Sequence, residues 1–226
     1  MTFEELDELF LSPTIKPTFE RVHVILALYM FDQNREGMGR YRLQKELLIG
    51  EGTARSLIKK LNEKIKFITV LDKKIRKGHV LTKVGIEYLK GIKSMIPVIR
   101  EVETSVLKEL IIEAEENYSF FCVIKNAFHN ITNGVSQRDA AIKVNGSGAT
   151  CLVFNGKNLI FPSKSHSKIV SENESMTLSK DLSVYFESIL SEEKIKLEEN
   201  DVLAIGAGKS PQRARLATLN AALTLL

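Results

Sequence analysis

The sequence predicts a mixed α+β protein in two parts: a helical module ending in a basic hairpin, then, beyond a connecting helix, a small α/β sandwich. Three observations predict it. The 226 residues exceed the roughly 100–200 of one ordinary domain, so two compact units are expected. The positive charge is concentrated in a single block. Apolar residues follow helical spacing before residue 117 and alternate between strand-like and helix-like runs after it.

The charge asymmetry is sharp. Residues 40–83 hold thirteen Lys/Arg against four Asp/Glu, a net +9, whereas residues 1–39 hold three against seven and residues 84–226 hold sixteen against seventeen. A lysine-rich surface is ordinarily a solvated face, but here it coincides with an ordered set of elements. The 44% hydrophobic content supplies two modest cores. No apolar run reaches the length of a membrane span, and the N-terminus is acidic, so neither insertion nor export is expected and the cytoplasm is the expected compartment. Cys122 and Cys151 lack CxxC spacing and four histidines are scattered, so no metal, cofactor or disulfide framework is expected. Both cysteines are read as buried apolar thiols in neighbouring strands.

The elements of the basic block follow in order. Thr18 to Asp32 places Phe19, Val22, Ile25, Leu26, Tyr29 and Met30 on a helical period, ahead of Gly37 and Gly39. Arg40 to Leu48 predicts a second short helix with Leu43, Leu47 and Leu48 inward. After the Ile49-Gly50-Glu51-Gly52 turn, Thr53 to Lys66 predicts a third helix with Ala54, Leu57, Ile58, Leu61 and Ile65 on one side. Its other side carries Arg55, Ser56, Lys59, Lys60 and Glu63. Phe67 to Leu71 and His79 to Leu81 read as the strands of a hairpin whose tip, residues 72–78, is charged. Thr82 caps a further helix anchored by Val84, Ile86 and Leu89.

Helix, helix, turn, helix, hairpin is the order of a winged helix-turn-helix. The third helix is narrow enough for the major groove of DNA, and cations on a hairpin tip reach phosphates. Arg55, Ser56, Lys59 and Lys60 are therefore candidates for base or phosphate contact, and Arg40 and Arg42 for clamping the backbone. Lys73, Lys74, Arg76 and Lys77 are candidate phosphate contacts of the wing, because they supply charge rather than sequence reading. His79 reads as a strand residue rather than a ligand. The block also resembles winged-helix transcriptional regulators in wording, through Gly39-Arg40-Tyr41-Arg42-Leu43, Gly52-Thr53-Ala54-Arg55 and Leu81-Thr82-Lys83-Val84-Gly85. The last resembles the LT-x-x-G step that closes many such modules. The resemblance covers about 70 residues and implies the fold more specifically than it implies DNA.

Around this module the expectations are simpler. Thr2-Phe3-Glu4-Glu5 reads as a capping box opening an acidic helix with Phe3, Leu6, Leu9 and Phe10 as its apolar stripe, ended by Pro13 and Pro17. Val98 to Glu116 predicts a long connecting helix striped by Ile99, Val102, Val106 and Leu110. Either stripe can dock within the chain or pair with a second copy, which makes a homodimer the expected assembly. The expected domains are 1–91, 92–116 and 117–226.

Beyond residue 117 the expected elements are strands at Tyr118–Asn126, Ala149–Phe154, Leu159–Phe161 and Val202–Ile205, and helices at Ser136–Val144, Leu178–Leu190 and Pro211–Leu226. Two joints are candidates for a small anionic ligand. In Ile205-Gly206-Ala207-Gly208-Lys209-Ser210-Pro211 a strand leads into a helix, where backbone N–H groups favour an anion. Leu203 stands where a P-loop needs glycine, and Ser210 as N-cap with Pro211 after it explains much of the run structurally. Ser136-Gln137-Arg138-Asp139 reads as a capping box, which makes Asp139 structural. The candidate ligand residues are Arg138, Gly206, Gly208, Lys209, Ser210 and Arg213.

The runs Gly134-Val135-Ser136-Gln137-Arg138-Asp139-Ala140-Ala141-Ile142-Lys143, Gly148-Ala149-Thr150 and Ala221-Ala222-Leu223-Thr224-Leu225-Leu226 look similar to a family of archaeal two-domain proteins. Such proteins have an N-terminal winged helix and a C-terminal α/β domain of unknown function. The expected function is a transcriptional regulator that binds double-stranded DNA and is not an enzyme, with the C-terminal part dimerising or sensing a ligand. Two readings of other classes stand beside it: an enzyme acting on a nucleotide or phosphometabolite through the Gly206 to Ser210 joint, and a winged-helix adaptor that binds protein.

Overall fold

The computed structural model describes residues 3–11, 17–71, 78–111, 117–162 and 178–226. The structure is mixed α+β, with two sheets among the described residues, and divides into one compact unit at Met1–Ile92 and another at Lys93–Leu226.

The first unit is built round a helix that is apolar on all sides. Helix α1 spans Glu4–Phe10, and α2 spans Arg21–Gln33 with Val22 and the whole run Val24 to Phe31 buried. A helix apolar all round must be enclosed, so the other elements wrap it. α2 starts three residues later than its periodicity suggests because Glu20 and His23 form a reciprocal capping box. His23 Nδ1 accepts from the Glu20 N–H at 3.0 Å, and burial lowers its pKa. The stripe of α1 is satisfied inside this unit: Leu6 and Leu9 are buried, and the Phe10 ring lies 5.6 Å from Phe19. Thr2 of the expected capping box lies outside the described residues.

Helix α3 spans Arg40–Leu47 and α4 spans Glu51–Glu63, opened two residues early by extended Gly50. Leu48, expected inward, is instead exposed. It adopts a left-handed φ of 53° that ends α3 and turns its side chain away from Leu43 and Leu47. Strands β1 (Ile68–Val70) and β2 (His79–Leu81) pair antiparallel, with Ile68 opposite Leu81. Met38 forms an isolated bridge to β2, exchanging two backbone hydrogen bonds with His79, at 2.9 and 3.0 Å. Helix α5, Lys83–Met95, then shows what the Leu81-to-Gly85 run does. The Gly85 N–H donates to Thr82 Oγ1 at 3.1 Å, capping the helix, and the Thr82 N–H donates to Phe67 O. A Cβ on Gly85 would stand 2.1 Å from that same carbonyl oxygen, so only glycine lets α5 lie on β1.

The second unit contains a five-stranded sheet. Strands β3 (Ile99–Val102), β4 (Tyr118–Ile124), β5 (Gly148–Phe154), β6 (Leu159–Ile160) and β7 (Val202–Gly208) lie in the order β3-β4-β7-β5-β6, and every pair is antiparallel. The sandwich expected from sequence is therefore closed by antiparallel pairing. Helix α7 (Lys180–Glu192) covers one face, where Phe186 packs edge-on against Phe121 at 6.0 Å among Leu152, Leu203 and Ile205. Helices α6 (Val135–Lys143) and α8 (Pro211–Leu223) cover the other.

The expected connecting helix from Val98 to Glu116 is overturned in its described part. Ile99–Val102 is the edge strand β3, paired with Ser119–Cys122, and Thr104–Leu107 is a single 3₁₀ turn. Ile99 and Val102 fit a helical stripe, but a run this short, rich in β-branched residues and beside an open sheet edge, gains more from ladder hydrogen bonds than from isolated helix formation. Residues 112–116 lie outside the described residues.

Asp201 anchors the turn before β7. It is 1% exposed, and its carboxylate accepts from the Asn126 N–H at 2.9 Å, the Glu198 N–H at 2.8 Å and Lys125 Nζ at 2.6 Å. Burial works against the Lys125 charge, yet the Asp201 partner raises its pKa overall. Nothing in the spacing of Lys125 and Asp201 distinguishes them from surface charges.

Candidate nucleic-acid interface

Helix α4 buries Ala54, Leu57, Ile58 and Leu61 and turns Arg55 and Lys59 to solvent, with Ser56 half-buried. The outward face expected from the periodicity is therefore present. Each exposed cation on it has an acidic neighbour one turn away: Arg55 Nη2 lies 3.3 Å from Glu51 Oε1, and Lys59 Nζ lies 3.9 Å from Glu63. Such exposed pairs add little to folding stability and engage only part of each cation's donor set, which leaves further N–H groups to meet another anion.

Arg40, at the start of α3, reaches the same oxygen: its Nη2 lies 3.1 Å from Glu51 Oε1. The Arg40 guanidinium also lies 5.0 Å from the centre of the Tyr41 ring. Arg42 is exposed and forms no ion pair with the described residues. Tyr41 is 72% exposed and shares a face of α3 with Lys45, one turn on. The spacing of 41 and 45 marks Tyr41 and Lys45 as one face of α3, whereas Glu51 stands on α4 and no spacing signals its approach to Arg40.

Lys60 departs from its expected place on the interface. Its Nζ donates to the Leu9 carbonyl at the end of α1 and lies 5.9 Å from the Phe19 ring centre. Burial, with Lys64 nearby, lowers its pKa. It satisfies a helix-terminal carbonyl and ties α1 to α4, a role decided by where α1 docks. Lys73, Lys74, Arg76 and Lys77 lie outside the described residues. At the foot of their hairpin, the buried His79 Nδ1 has no hydrogen-bond partner, and desolvation lowers the His79 pKa.

In the second unit the candidate ligand residues are not gathered into one place. Gly206 and Gly208 lie inside β7, facing α8, rather than in a loop beyond the strand. A Cβ on Gly206 would stand 2.5 Å from Thr218 N, and one on Gly208 would stand 2.7 Å from Ala214 N. The glycines admit helix backbone where a phosphate cradle would need open space. Ser210 is the N-cap of α8, accepting from the Arg213 N–H at 3.3 Å with Pro211 following, while Lys209 and Arg213 are exposed.

Arg138 lies against Gly148, the β5 partner of Ala207, in a cleft of about 240 Å³ whose lining also includes Asn133, Gly134, Thr150 and Phe161. The capping box expected at Ser136 to Asp139 is overturned. Gly134, at φ 76°, is the N-cap, so Ser136 is already helical, and Asn133 Oδ1 accepts from the Val135 N–H at 3.1 Å instead. The reason for expecting a structural Asp139 goes with that box: its side chain is 61% exposed and lies 2.9 Å from Arg138 Nη2.

Cys122 and Cys151 are buried and free, as expected, but not in neighbouring strands. They sit on β4 and β5, both opposite Ala204 of the intervening β7. Strands two positions apart are roughly 9.5 Å distant, beyond the roughly 7 Å limit for a disulfide. Burial pushes the Cys151 thiol up to about 12 and raises that of Cys122 as well. Among the described residues no group of histidine, cysteine and carboxylate side chains could hold a metal ion. No described helix is long and apolar enough to cross a membrane.

No curated protein matches the chain. A solved structure, a hypothetical protein from Pyrococcus horikoshii OT3, is similar across 92% of this chain and 93% of its own, with a TM-score of 0.63 and 22% sequence identity. That likeness speaks for the fold. The sheet and helices from β4 to α8 coincide with a recognised unit, since residues 115–225 match the family described as Domain of unknown function (DUF4443).

Proposed function

We propose that residues 18–90 form a winged helix-turn-helix that binds double-stranded DNA, with α4 entering the major groove and the β1–β2 hairpin lying beside it as the wing. The observation that carries the reading is a coincidence of charge with geometry. The net +9 of residues 40–83 falls on the segment whose order is α3, α4, β1 and β2, and the solvent face of α4 presents Arg55 and Lys59 there. The Met38 bridge between α2 and α3, which gives the hairpin a third backbone partner, is in keeping with a wing. Neutralising phosphates with such cations releases counterions, and that supplies affinity.

In this reading the protein is a transcriptional regulator, and the second unit dimerises or senses a small ligand. Among the described residues, the Arg138 cleft is one feature of that unit with room for a small ligand. The test is selection of binding sequences from random duplexes by gel shift at several salt concentrations. Retained duplexes with a common sequence, and an affinity that falls steeply with salt, would support the reading. Absence of any shift at low salt would overturn it.

Two modules related by a two-fold axis would read repeated half-sites, so the proposed regulator acts as a homodimer. The pairing surface is neither stripe named from the sequence. Leu6 and Leu9 of α1 are buried within their own unit, and Ile99 to Val102 is a strand. Sedimentation equilibrium, with and without a selected duplex, decides the matter. A protein that stays monomeric on its duplex would overturn pairing and leave the single-module reading standing.

A further inference from the structure

We infer that Glu51 is a positioning residue of this face: one carboxylate oxygen holds the guanidinium groups of Arg40 and Arg55 side by side, and so sets how strongly the module prefers its own sequence over any other duplex. The inference rests on the nucleic-acid reading above and deepens it.

The geometry is a convergence from two helices. Glu51 Oε1 lies 3.1 Å from Arg40 Nη2, at the start of α3, and 3.3 Å from Arg55 Nη2, one turn along α4. Arg40 is also confined by the Tyr41 ring, 5.0 Å away, and its side chain is only 27% exposed. A guanidinium has five N–H donors in a rigid fork, and Glu51 is within reach of one Nη of each. Arg40 Nη2 also donates to the Tyr41 hydroxyl at 3.4 Å, and the donors of both groups that neither partner engages are held in orientation, so less rotamer freedom is lost when a base edge or phosphate is bound.

The same carboxylate has a second consequence of opposite sign. Glu51 is one of four acids among thirteen cations in residues 40–83, and its charge stands beside two of those cations. It repels every phosphate regardless of sequence. Glu51 therefore lowers affinity for both duplexes alike while ordering the groups that discriminate, and it is the ordering that raises the ratio of specific to non-specific binding.

Two variants separate the effects. Glu51→Gln keeps an acceptor oxygen in place and removes the charge, whereas Glu51→Ala removes both. The Glu51 side chain is 53% exposed, and exposed pairs contribute little to folding, so both variants are expected to fold. Each is compared with the parent by thermal unfolding and by titration of a selected duplex and a scrambled one across a salt series. Both variants should bind the scrambled duplex several-fold more tightly, with a salt slope steeper by about one unit. Glu51→Ala should in addition lose roughly tenfold in preference for the selected duplex, the order of one base contact. Arg40→Lys with Arg55→Lys keeps the charge and removes the fork, so it should lose preference without gaining general affinity.

If Glu51 merely supports the N-terminus of α4, the melting temperature would change while preference and salt slope stayed at parental values, which overturns the inference and leaves DNA binding intact. A parent protein that retains neither duplex overturns the reading and the inference together.

Discussion

The Gly206 N–H donates to Thr218 Oγ1 at 3.1 Å, and the same hydroxyl lies 3.1 Å from the Phe120 carbonyl and 2.8 Å from that of Ala214. One buried side chain of α8 thus touches its own helix and two strands of the sheet. Thr218→Val keeps the shape and leaves the Gly206 N–H without its hydroxyl partner, which should cost about 1–3 kcal/mol. Gly206→Ala should cost about as much by overpacking, because its Cβ would meet the α8 backbone. Urea unfolding measures both, and parental stability in Gly206→Ala would show that α8 does not approach β7 this closely.

For the interface, Arg55→Ala and Lys59→Ala should each weaken binding to a selected duplex. A residue that contacts a base should cost about 1–3 kcal/mol and relax preference at one position. Lys60→Ala should act differently. With Nζ on the Leu9 carbonyl, its removal should loosen α1 and lower stability while leaving the salt dependence of binding near that of the parent. An affinity loss in Lys60→Ala equal to that in Arg55→Ala would return Lys60 to the interface.

The wing prediction comes from charge alone. Replacing Lys73, Lys74, Arg76 and Lys77 by alanine should weaken binding to all duplexes alike and flatten the dependence of log affinity on log salt by up to about four units. A slope equal to that of the parent would remove the hairpin tip from the phosphate contacts.

His23 and His79 have pKa values lowered by burial. Above the unfolded value of about 6.5 both states are neutral and the stability is complete. As the pH falls below that value the unfolded chain takes up protons that the folded unit resists, so stability declines. Chemical unfolding at pH 7.5 and pH 5.5 should show this loss, and it should shrink in His23→Gln combined with His79→Gln. An equal pH dependence in the double variant would assign the effect to carboxylates.

The local elements were largely legible in the chain itself. The period of Val22 to Met30, the amphipathic face of α4, the caps at Thr82 and Ser210, and the strand and helix alternation after residue 117 are written in spacing, because each depends on residues within one or two turns of one another. Some expectations failed locally, as where Gly134 and Asn133 rather than Ser136 open α6, but elsewhere a distant partner decided. Ile99 to Val102 became a strand because β4 offered an edge, and Lys60 left the solvent face expected of it because α1 docked against α4. Gly206 and Gly208 were positioned by α8, and Glu51 acquired two arginines because α3 and α4 begin side by side. Hydrophobic period and capping chemistry are local and survive translation into sequence. Hydrogen-bond partners and ion pairs between residues such as Lys60 and Leu9 exist only after the chain has closed on itself, so tertiary structure alone assigns them.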